Sequence, residues 1–129
     1  MEGGLMYFLD TNAIIWLYQG EVEKFSDKTR SILELNDLFI SPLVKLELQY
    51  LFEVKRLKKS AETIVNALYT EMGLQLHSVP LNLLIDMSIV ETWTRDPFDR
   101  LITSHAKLEN AFLITKDDTI LANYEKAIW

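Results

Sequence analysis

The chain has 129 residues, 49% of them hydrophobic, which predicts one domain, 1–129, with a single core rather than a disordered chain. It contains no cysteine, which excludes disulfides and thiolate metal sites, and no apolar stretch approaches the roughly 20 residues of a membrane span. The formal net charge of −6 at pH 7 disfavours nonspecific binding to duplex DNA, because proteins that bind in this way are normally basic.

The first half of the chain alternates short apolar runs with helical stretches. Gly20 is expected to end the first helix, and Ser26 is expected to cap the second. Ser41 followed by Pro42 marks the start of a third helix, because proline suits the first helical position. In chain order, the pattern predicts a strand at 6–10, a helix at 12–18, a helix at 27–36, a strand at 38–41 and a helix at 42–58.

The second half continues the alternation. Gly73 is expected to end a helix, and Asp96 followed by Pro97 repeats the cap-then-proline start. The pattern predicts a helix at 60–72, a strand at 76–79, helices at 82–93 and 97–110, a strand at 112–115, a helix at 118–124 and an edge strand at 128–129. Strands that alternate with helices predict a three-layer α/β/α fold, with a mainly parallel sheet of four or five strands covered on both faces.

Four acidic residues lie at the edges of predicted elements, where burial makes charge costly. Asp10 ends an apolar strand and Asp117 follows another, and the carboxyl ends of parallel strands meet at one edge of a sheet. Glu47 and Asp99 lie in the first turns of helices that can point at the same edge. Because clustered carboxylates repel one another, the pattern predicts a site for one or two divalent ions with oxygen ligands, Mg²⁺ or Mn²⁺.

Some of these acids also have a purely structural interpretation. Asp10 can cap the helix that follows it, although Thr11 and Asn12 give three oxygen-bearing side chains in a row. Asp99 follows a proline-marked helix start, where a carboxylate gains from the helix dipole, and Asp96 is the expected N-cap.

Glu47 is the acid whose position is least well explained by a purely structural role. Its neighbours three and four positions away on the helix are apolar: Leu43, Val44, Tyr50 and Leu51. This spacing predicts that Glu47 lies on the buried stripe of the helix, whereas a surface glutamate normally lies on the opposite face. In the alternative interpretations, Glu47 lies at the edge of the apolar stripe or is paired with an internal arginine.

The pair Asp117 and Asp118 has to supply both a helix cap and an acid of the site. Because Asp117 is closer to the end of its strand, it is the preferred ligand and Asp118 the preferred cap. The opposite assignment stays open.

The remaining polar residues have more ordinary interpretations. Arg95 and Arg100 flank the acidic helix start and can meet phosphates. The two histidines, His77 and His105, are interpreted as structural residues. Four cations at the end of the helix at 42–58 are interpreted as solvated charges near its negative dipole end: Lys55, Arg56, Lys58 and Lys59.

Together these segments resemble the PIN domain, and within that family the VapC-type ribonuclease toxins of toxin–antitoxin pairs. The resemblance covers residues 6–124 and rests on four segments in the family's order: Leu-Asp-Thr-Asn at 9–12, Glu47 after Ser-Pro at 41–42, Arg-Asp-Pro-Phe-Asp-Arg-Leu-Ile at 95–102 and Ile-Thr-Lys-Asp at 114–117. The segment at 95–102 is fairly specific, and the four-part combination is stronger than any one segment.

The resemblance implies a PIN-like α/β fold and a Mg²⁺- or Mn²⁺-dependent endoribonuclease. It places the family's acidic positions on four residues of this chain: Asp10, Glu47, Asp99 and Asp117. It adds Asp96 as an auxiliary acid and Thr115 as a hydroxyl near the site. It also implies an RNA substrate, a homodimer and a cognate antitoxin that blocks the site with a basic side chain.

RNA hydrolysis by such a set of residues needs no covalent protein intermediate. A metal lowers the pKa of bound water and stabilises charge on the phosphate oxygens. Asp10, Asp99 and Asp117 are the expected direct or water-mediated ligands, and Glu47 is either a ligand or the base that orients the water. Two divalent ions would add four positive charges, so an acidic chain can still receive RNA.

Two other functions fit parts of the pattern. The first is a catalytically inactive PIN-like module that binds RNA or a protein. The second is a receiver-type phosphoacceptor domain, which has an acidic Mg²⁺ pocket and a Thr/Lys pair like Thr115-Lys116. A receiver needs an acidic pair after the first strand and an acceptor Asp after a middle strand, whereas Asp10 stands alone and Pro80 follows the strand at 76–79.

The N-terminus predicts no export signal. Residues 1–4 contain no basic region, and no long apolar run follows them. We therefore expect a cytoplasmic protein without a membrane partner.

Overall fold

A parallel sheet forms the centre of the protein. The computed structural model describes residues 5–129, so the predicted absence of a signal in residues 1–4 lies outside the described residues. The strands are β1 (Tyr7–Leu9), β2 (Leu38–Ile40), β3 (Gln75–Leu76), β4 (Phe112–Ile114) and β5 (Ala127–Ile128). They pair in the order β3-β2-β1-β4-β5, and every neighbouring pair is parallel.

Helices connect the strands and cover both faces of the sheet. They are α1 (Thr11–Gln19), α2 (Asp27–Leu35), α3 (Pro42–Glu53), α4 (Ala61–Met72), α5 (Leu81–Ile89), α6 (Pro97–Leu108) and α7 (Asp118–Asn123), with a 3₁₀ turn at Val22–Lys24. All three residues of β1 are buried, and because successive side chains of a strand point to opposite faces, both faces are covered. The predicted three-layer α/β/α fold is confirmed. Within residues 5–129, every helix is too short or too polar for a membrane span.

Short polar side chains cap the N-termini of several helices at the predicted positions. Ser26 Oγ accepts a hydrogen bond from Thr29 N at 3.1 Å, and Ser41 Oγ accepts one from Leu43 N at 3.3 Å. These bonds satisfy N–H groups that have no partner inside the first helical turn. Gly20 ends α1 with a φ of 73°, a left-handed conformation that glycine adopts without strain.

Helix α3 ends earlier than the sequence predicts, at Glu53 instead of residue 58. Lys55 has a φ of 65°, and the N–H of Leu57 donates to Leu51 O at 3.2 Å, so the chain turns back on the helix end. The turn lets the side chain of Leu57 pack against the core. The basic residues predicted at the helix end therefore lie in the following loop, where all are exposed: Lys55, Arg56, Lys58 and Lys59.

Helix α5 is also shorter than predicted, because a buried acid interrupts it. It ends at Ile89 instead of Trp93. Glu91, 7% exposed, turns inward and accepts hydrogen bonds from Lys107 Nζ at 2.8 Å and from Trp93 Nε1 at 2.7 Å. These hydrogen bonds stabilise the loop in place of another helical turn.

Strand β3 is shorter than the predicted 76–79 and begins one residue earlier. It lies at the edge of the sheet and pairs only with β2 among the described strands. His77 N donates to Ile40 O at 2.9 Å, just beyond the strand, and the chain then continues toward α5. His77 therefore lies at the end of the edge strand and not inside it.

The sheet order excludes a receiver-type domain. Receiver domains have the strand order 2-1-3-4-5, whereas here β3 is an edge strand next to β2, and β1 and β4 are neighbours. Strand β1 is the central strand. Asp10, which follows it, therefore lies at the middle of the carboxyl edge of the sheet.

Candidate active site

The carboxylate of Asp10 is buried at the carboxyl end of β1. Its Oδ1 accepts a hydrogen bond from Ala13 N at 2.9 Å, so Asp10 caps α1, and its Oδ2 accepts one from Thr115 Oγ1 at 2.5 Å. Burial raises the pKa of Asp10 to about 6, although the two hydrogen bonds lower it. The charges of Asp117 and Glu47 contribute to this rise. Asp10 is thus both a helix cap and part of an acidic cluster.

Thr115 connects two of the predicted acids at the end of β4. Its buried hydroxyl donates to Asp10 and accepts a hydrogen bond from Asp117 N at 3.0 Å. Because Asp10 N also donates to Ile114 O at 3.1 Å, the pairing of β1 with β4 extends into the site. The two strand ends are therefore held together by both backbone and side-chain hydrogen bonds.

Asp117 caps α7, so the prediction that Asp118 is the cap is wrong. The Oδ1 atom of Asp117 accepts hydrogen bonds from Thr119 N at 2.9 Å and Ile120 N at 3.0 Å. An N-cap needs an extended backbone, which Asp117 has with φ −70° and ψ 117°, whereas Asp118 is already the first helical residue. The charge of Asp117 also acts on Asp10, so the cap of α7 is itself part of the acidic cluster.

Asp99 lies in the first turn of α6, at the same edge of the sheet. As predicted, Asp96 is the N-cap, and its Oδ1 accepts a hydrogen bond from Asp99 N at 3.1 Å. Burial raises the pKa of Asp99 to about 7. The charges of four neighbouring carboxylates contribute to the same rise, in decreasing order: Asp96, Asp117, Glu47 and Asp10.

Glu47 is half-buried on α3 and is held by a hydroxyl. Its Oε1 accepts a hydrogen bond from Thr11 Oγ1 at 2.5 Å. Burial raises the pKa of Glu47, the hydrogen bond from Thr11 lowers it, and the charge of Asp96 raises it. The predicted apolar surroundings are only partly present, because Val44 is buried but Tyr50 is 51% exposed. Glu47 therefore lies at the edge of the apolar stripe and is directed toward the acidic cluster.

The four predicted acids come from four different elements and act electrostatically on one another: Asp10, Glu47, Asp99 and Asp117. None of the ion pairs between residues 5 and 129 includes any of them. Carboxylate and hydroxyl oxygens without a cationic partner are the ligands that Mg²⁺ and Mn²⁺ prefer. The residues therefore fit a hard divalent ion, which would compensate their mutual repulsion.

The two arginines next to this cluster are anchored to the loop before α6. Arg100 Nε donates to Thr94 O at 2.8 Å, and Arg95 Nη1 donates to Thr92 O at 3.0 Å. Within residues 5–129, neither forms an ion pair with a carboxylate. Asn12, one of the oxygen-bearing side chains that follow Asp10, is exposed on the first turn of α1.

The structure brings together the two histidines, between which the sequence predicts no contact. His105 Nε2 lies 3.3 Å from His77 Nδ1, and His77 Nε2 lies 3.7 Å from Glu109 Oε1. The histidines are 28 residues apart, so no local pattern predicts their contact. Only the spacing of four between His105 and Glu109 indicates a shared helix face.

Comparison with known proteins agrees with this architecture. The profile of the PIN domain family matches residues 7–126, which is nearly the whole chain. The chain belongs to the PIN domain family. All four acids of this PIN domain lie inside the matched range. A search of curated protein sequences found no match.

Solved structures with a similar fold include chains of toxin–antitoxin complexes. The fold resembles VapBC2 from Rickettsia felis bound to a promoter DNA fragment, with a TM-score of 0.66, 22% identity and 92% of each chain covered. It resembles a toxin–antitoxin complex from Klebsiella pneumoniae, with a TM-score of 0.66, 16% identity and coverage of 95% and 96%. It also resembles DNA-bound VapBC from Salmonella typhimurium, with a TM-score of 0.64, 18% identity and coverage of 93% and 92%.

Proposed function

We propose that this PIN domain is a Mg²⁺- or Mn²⁺-dependent endoribonuclease. The observation that carries the proposal is the convergence of four carboxylates from four elements at the carboxyl edge of the sheet, none of which forms an ion pair within residues 5–129. Ligand and substrate sites of open parallel sheets form at this edge. The mutual repulsion of these carboxylates destabilises the fold unless positive charge compensates it.

Asp10, Asp99 and Asp117 hold one or two ions in this proposal, directly or through water. The metal supplies positive charge for the phosphodiester oxygens and lowers the pKa of a bound water. Glu47 is either a further ligand or the base that orients the attacking water. Its carboxylate is held by Thr11, and burial raises its pKa, which is the direction that makes a carboxylate a better proton acceptor.

The neighbouring polar groups keep these carboxylates in fixed positions. Thr115 holds Asp10 at one oxygen while Ala13 N holds it at the other. Asp96 anchors the first turn of α6 and thereby fixes the backbone of Asp99. Preorganised ligands of this kind lose little conformational entropy when an ion or a substrate binds.

Arg95 and Arg100 are proposed to contact phosphates of the RNA. Their hydrogen bonds to loop carbonyls fix both guanidinium groups beside the acidic start of α6. A fixed guanidinium offers a phosphate two parallel donors. Together with bound metal, these groups give an otherwise acidic protein a local site for a polyanion.

We propose further that the protein is the cytoplasmic toxin of a type II toxin–antitoxin pair. The likeness of the fold to VapBC structures from Rickettsia felis and Salmonella typhimurium supports this role. In this proposal the cognate antitoxin places a basic side chain in the acidic cluster. Such a cation would replace the metal as the source of positive charge.

A homodimer is proposed to form through the outer face of α5. Helix α5 packs on α6, yet five large apolar side chains at its other positions and just beyond it are 40% to 72% exposed: Leu81, Leu83, Ile85, Ile89 and Val90. Monomeric proteins rarely leave so many apolar side chains exposed on one segment. A second copy of the chain would cover them.

Substitution of Ile89 tests the dimer. We expect the wild type to be dimeric and Ile89→Lys to be monomeric by light scattering, because a buried charge at an apolar interface is costly. Leu35→Lys is the matched control, since Leu35 is 80% exposed on α2 and lies outside this face. A monomeric wild type, or equal effects of the two substitutions, would contradict the proposal.

A cleavage assay tests the nuclease function itself. Purified wild-type protein is incubated with a panel of single-stranded RNAs in Mg²⁺, in Mn²⁺ or in EDTA. We expect endonucleolytic cleavage with either ion and none in EDTA. Retention of RNA without cleavage under every condition would instead support the alternative, a catalytically inactive PIN-like module.

A further inference from the structure

A second group of potential ligands lies away from the carboxylate cluster, where the end of β3 meets α6. His77 follows β3, and its backbone N–H is fixed by Ile40 O. His105 and Glu109 are one turn apart at the C-terminal end of α6, whereas Asp99 is in its first turn. One ligand atom from each of the three residues lies within 4.8 Å of the other two.

The two imidazole rings are held in place by aromatic packing. The ring of Phe8 lies 4.9 Å from that of His105 and 5.6 Å from that of His77, between ring centroids. The ring of Phe39 lies 5.8 Å from that of His77. His105 is fully buried, whereas His77 and Glu109 each expose about a quarter of their side chains, at 25% and 27%. The group is therefore rigid on its inner side and reachable from solvent on its outer side.

The spacing of the two nitrogens matches a tetrahedral metal site. A zinc ion binds histidine nitrogen at about 2.0–2.1 Å, so two such ligands at a tetrahedral angle are about 3.3–3.4 Å apart. His105 Nε2 and His77 Nδ1 are 3.3 Å apart. Glu109 Oε1 lies 3.7 Å from Nε2, the other nitrogen of His77, and its partly exposed carboxylate is the third potential ligand.

We propose that His77, His105 and Glu109 form a binding site for Zn²⁺ or a similar transition-metal ion, separate from the carboxylate site. Two imidazoles and one carboxylate are a donor set that favours zinc over magnesium, whereas the cluster around Asp10 offers only oxygen. With three protein ligands, the fourth position of a tetrahedral ion would be left to water. Occupancy ties the edge of the sheet to the end of α6.

The protonation state of His105 agrees with this assignment. Burial, together with the neighbouring His77, lowers the pKa of His105 to about 4. Its imidazole is therefore neutral at physiological pH, and the neutral ring is the form that binds a metal. Without a metal, the two rings share a hydrogen bond instead, which is the competing arrangement.

Calorimetry with Zn²⁺ tests the site on the full-length protein. We expect wild type to bind one zinc ion that excess Mg²⁺ does not displace, and His77→Gln to weaken zinc binding by at least about tenfold. Glu109→Gln should weaken it in the same direction and keeps the test valid if His77→Gln fails to fold. Glu34→Gln, which changes an exposed glutamate on α2, is the matched control and should bind like wild type.

Two further measurements separate this site from the carboxylate cluster. Co²⁺ in the wild type should give the visible absorption of a tetrahedral site, and His77→Gln should abolish this absorption. Asp10→Asn should leave both zinc binding and the Co²⁺ spectrum unchanged. If zinc does not bind, or if Asp10→Asn rather than His77→Gln removes it, the histidine pair is a hydrogen-bonded contact of the core and the proposal is overturned.

Discussion

Asp99→Asn is expected to abolish metal-dependent RNA cleavage while making the metal-free protein more stable. Loss of a ligand should lower the cleavage rate by at least about 100-fold, since even groups that only orient metal ligands contribute 10- to 100-fold. The gain in stability follows from electrostatics, because burial and four neighbouring carboxylates oppose ionisation of Asp99. A neutral amide of the same shape removes this repulsion.

The sign of the stability effect depends on pH. The pKa of Asp99 is raised from the ordinary value of 3.8 to about 7 in the folded protein. Protonation of Asp99 therefore contributes stability that is fully present below about pH 4 and is lost as the pH rises through 7. One pKa unit corresponds to about 1.4 kcal/mol, and solvent screening reduces the effect for a half-buried group. We expect Asp99→Asn to raise the free energy of unfolding by about 1–2 kcal/mol near pH 8 and by less near pH 5.

Asp118→Asn is the matched control for this substitution. Asp118 is exposed in the first turn of α7 and is not among the charges that raise the pKa of Asp99. It should keep wild-type cleavage and show no such pH-dependent gain in stability. Denaturant unfolding in EDTA at the two pH values, with the cleavage assay in Mn²⁺, measures both effects. Full activity of Asp99→Asn would defeat the assignment of this residue.

Binding of Mn²⁺ is expected to stabilise the wild-type protein strongly, and more at alkaline than at acidic pH. At a metal concentration of 100 times the dissociation constant, the stabilisation is about 2.7 kcal/mol, or a rise in Tm of roughly 10 °C. Protons compete with the metal, because the pKa of Asp10 is raised to about 6 and that of Asp99 to about 7. The rise should therefore be large near pH 8 and small near pH 5.

Thermal unfolding in millimolar Mn²⁺ and in EDTA measures this effect directly. Asp10→Asn should lose most of the metal-induced rise, whereas Asp118→Asn should retain it. The absence of a metal-induced shift in the wild type near pH 8 would show that the carboxylates do not form a metal site. A shift that is equal at both pH values would show that the metal binds elsewhere.

The order of the elements could be predicted from the sequence because its signals are local. A serine before a helical stretch, a proline at the first helical position and a glycine after the last turn each act within a few residues. The errors arose where distant contacts changed the local outcome. Helix α3 stops at Glu53 because Leu57 turns back onto the core, and α5 stops early because Glu91 reaches Lys107.

Glu47 shows what hydrophobic periodicity can and cannot predict. The spacing of its apolar neighbours indicated an unusual glutamate, and the structure places it among the other acids. The reason differs from the predicted one, because Tyr50 is half-exposed and the partner of Glu47 is the hydroxyl of Thr11. Sequence spacing identifies the residue, but not the side chain that it meets on another helix.

By itself, the sequence determined the fold class, the family and the positions of four acids at the edges of its elements. These depend on hydrophobic periodicity, helix caps and short motifs, which are properties of neighbouring residues. Only the tertiary structure decided that Asp117 is both cap and neighbour of Asp10, and that His77 meets His105. Such contacts depend on packing between distant segments, as in the hydrogen bond that joins Asp10 to Thr115 across 105 positions of the chain.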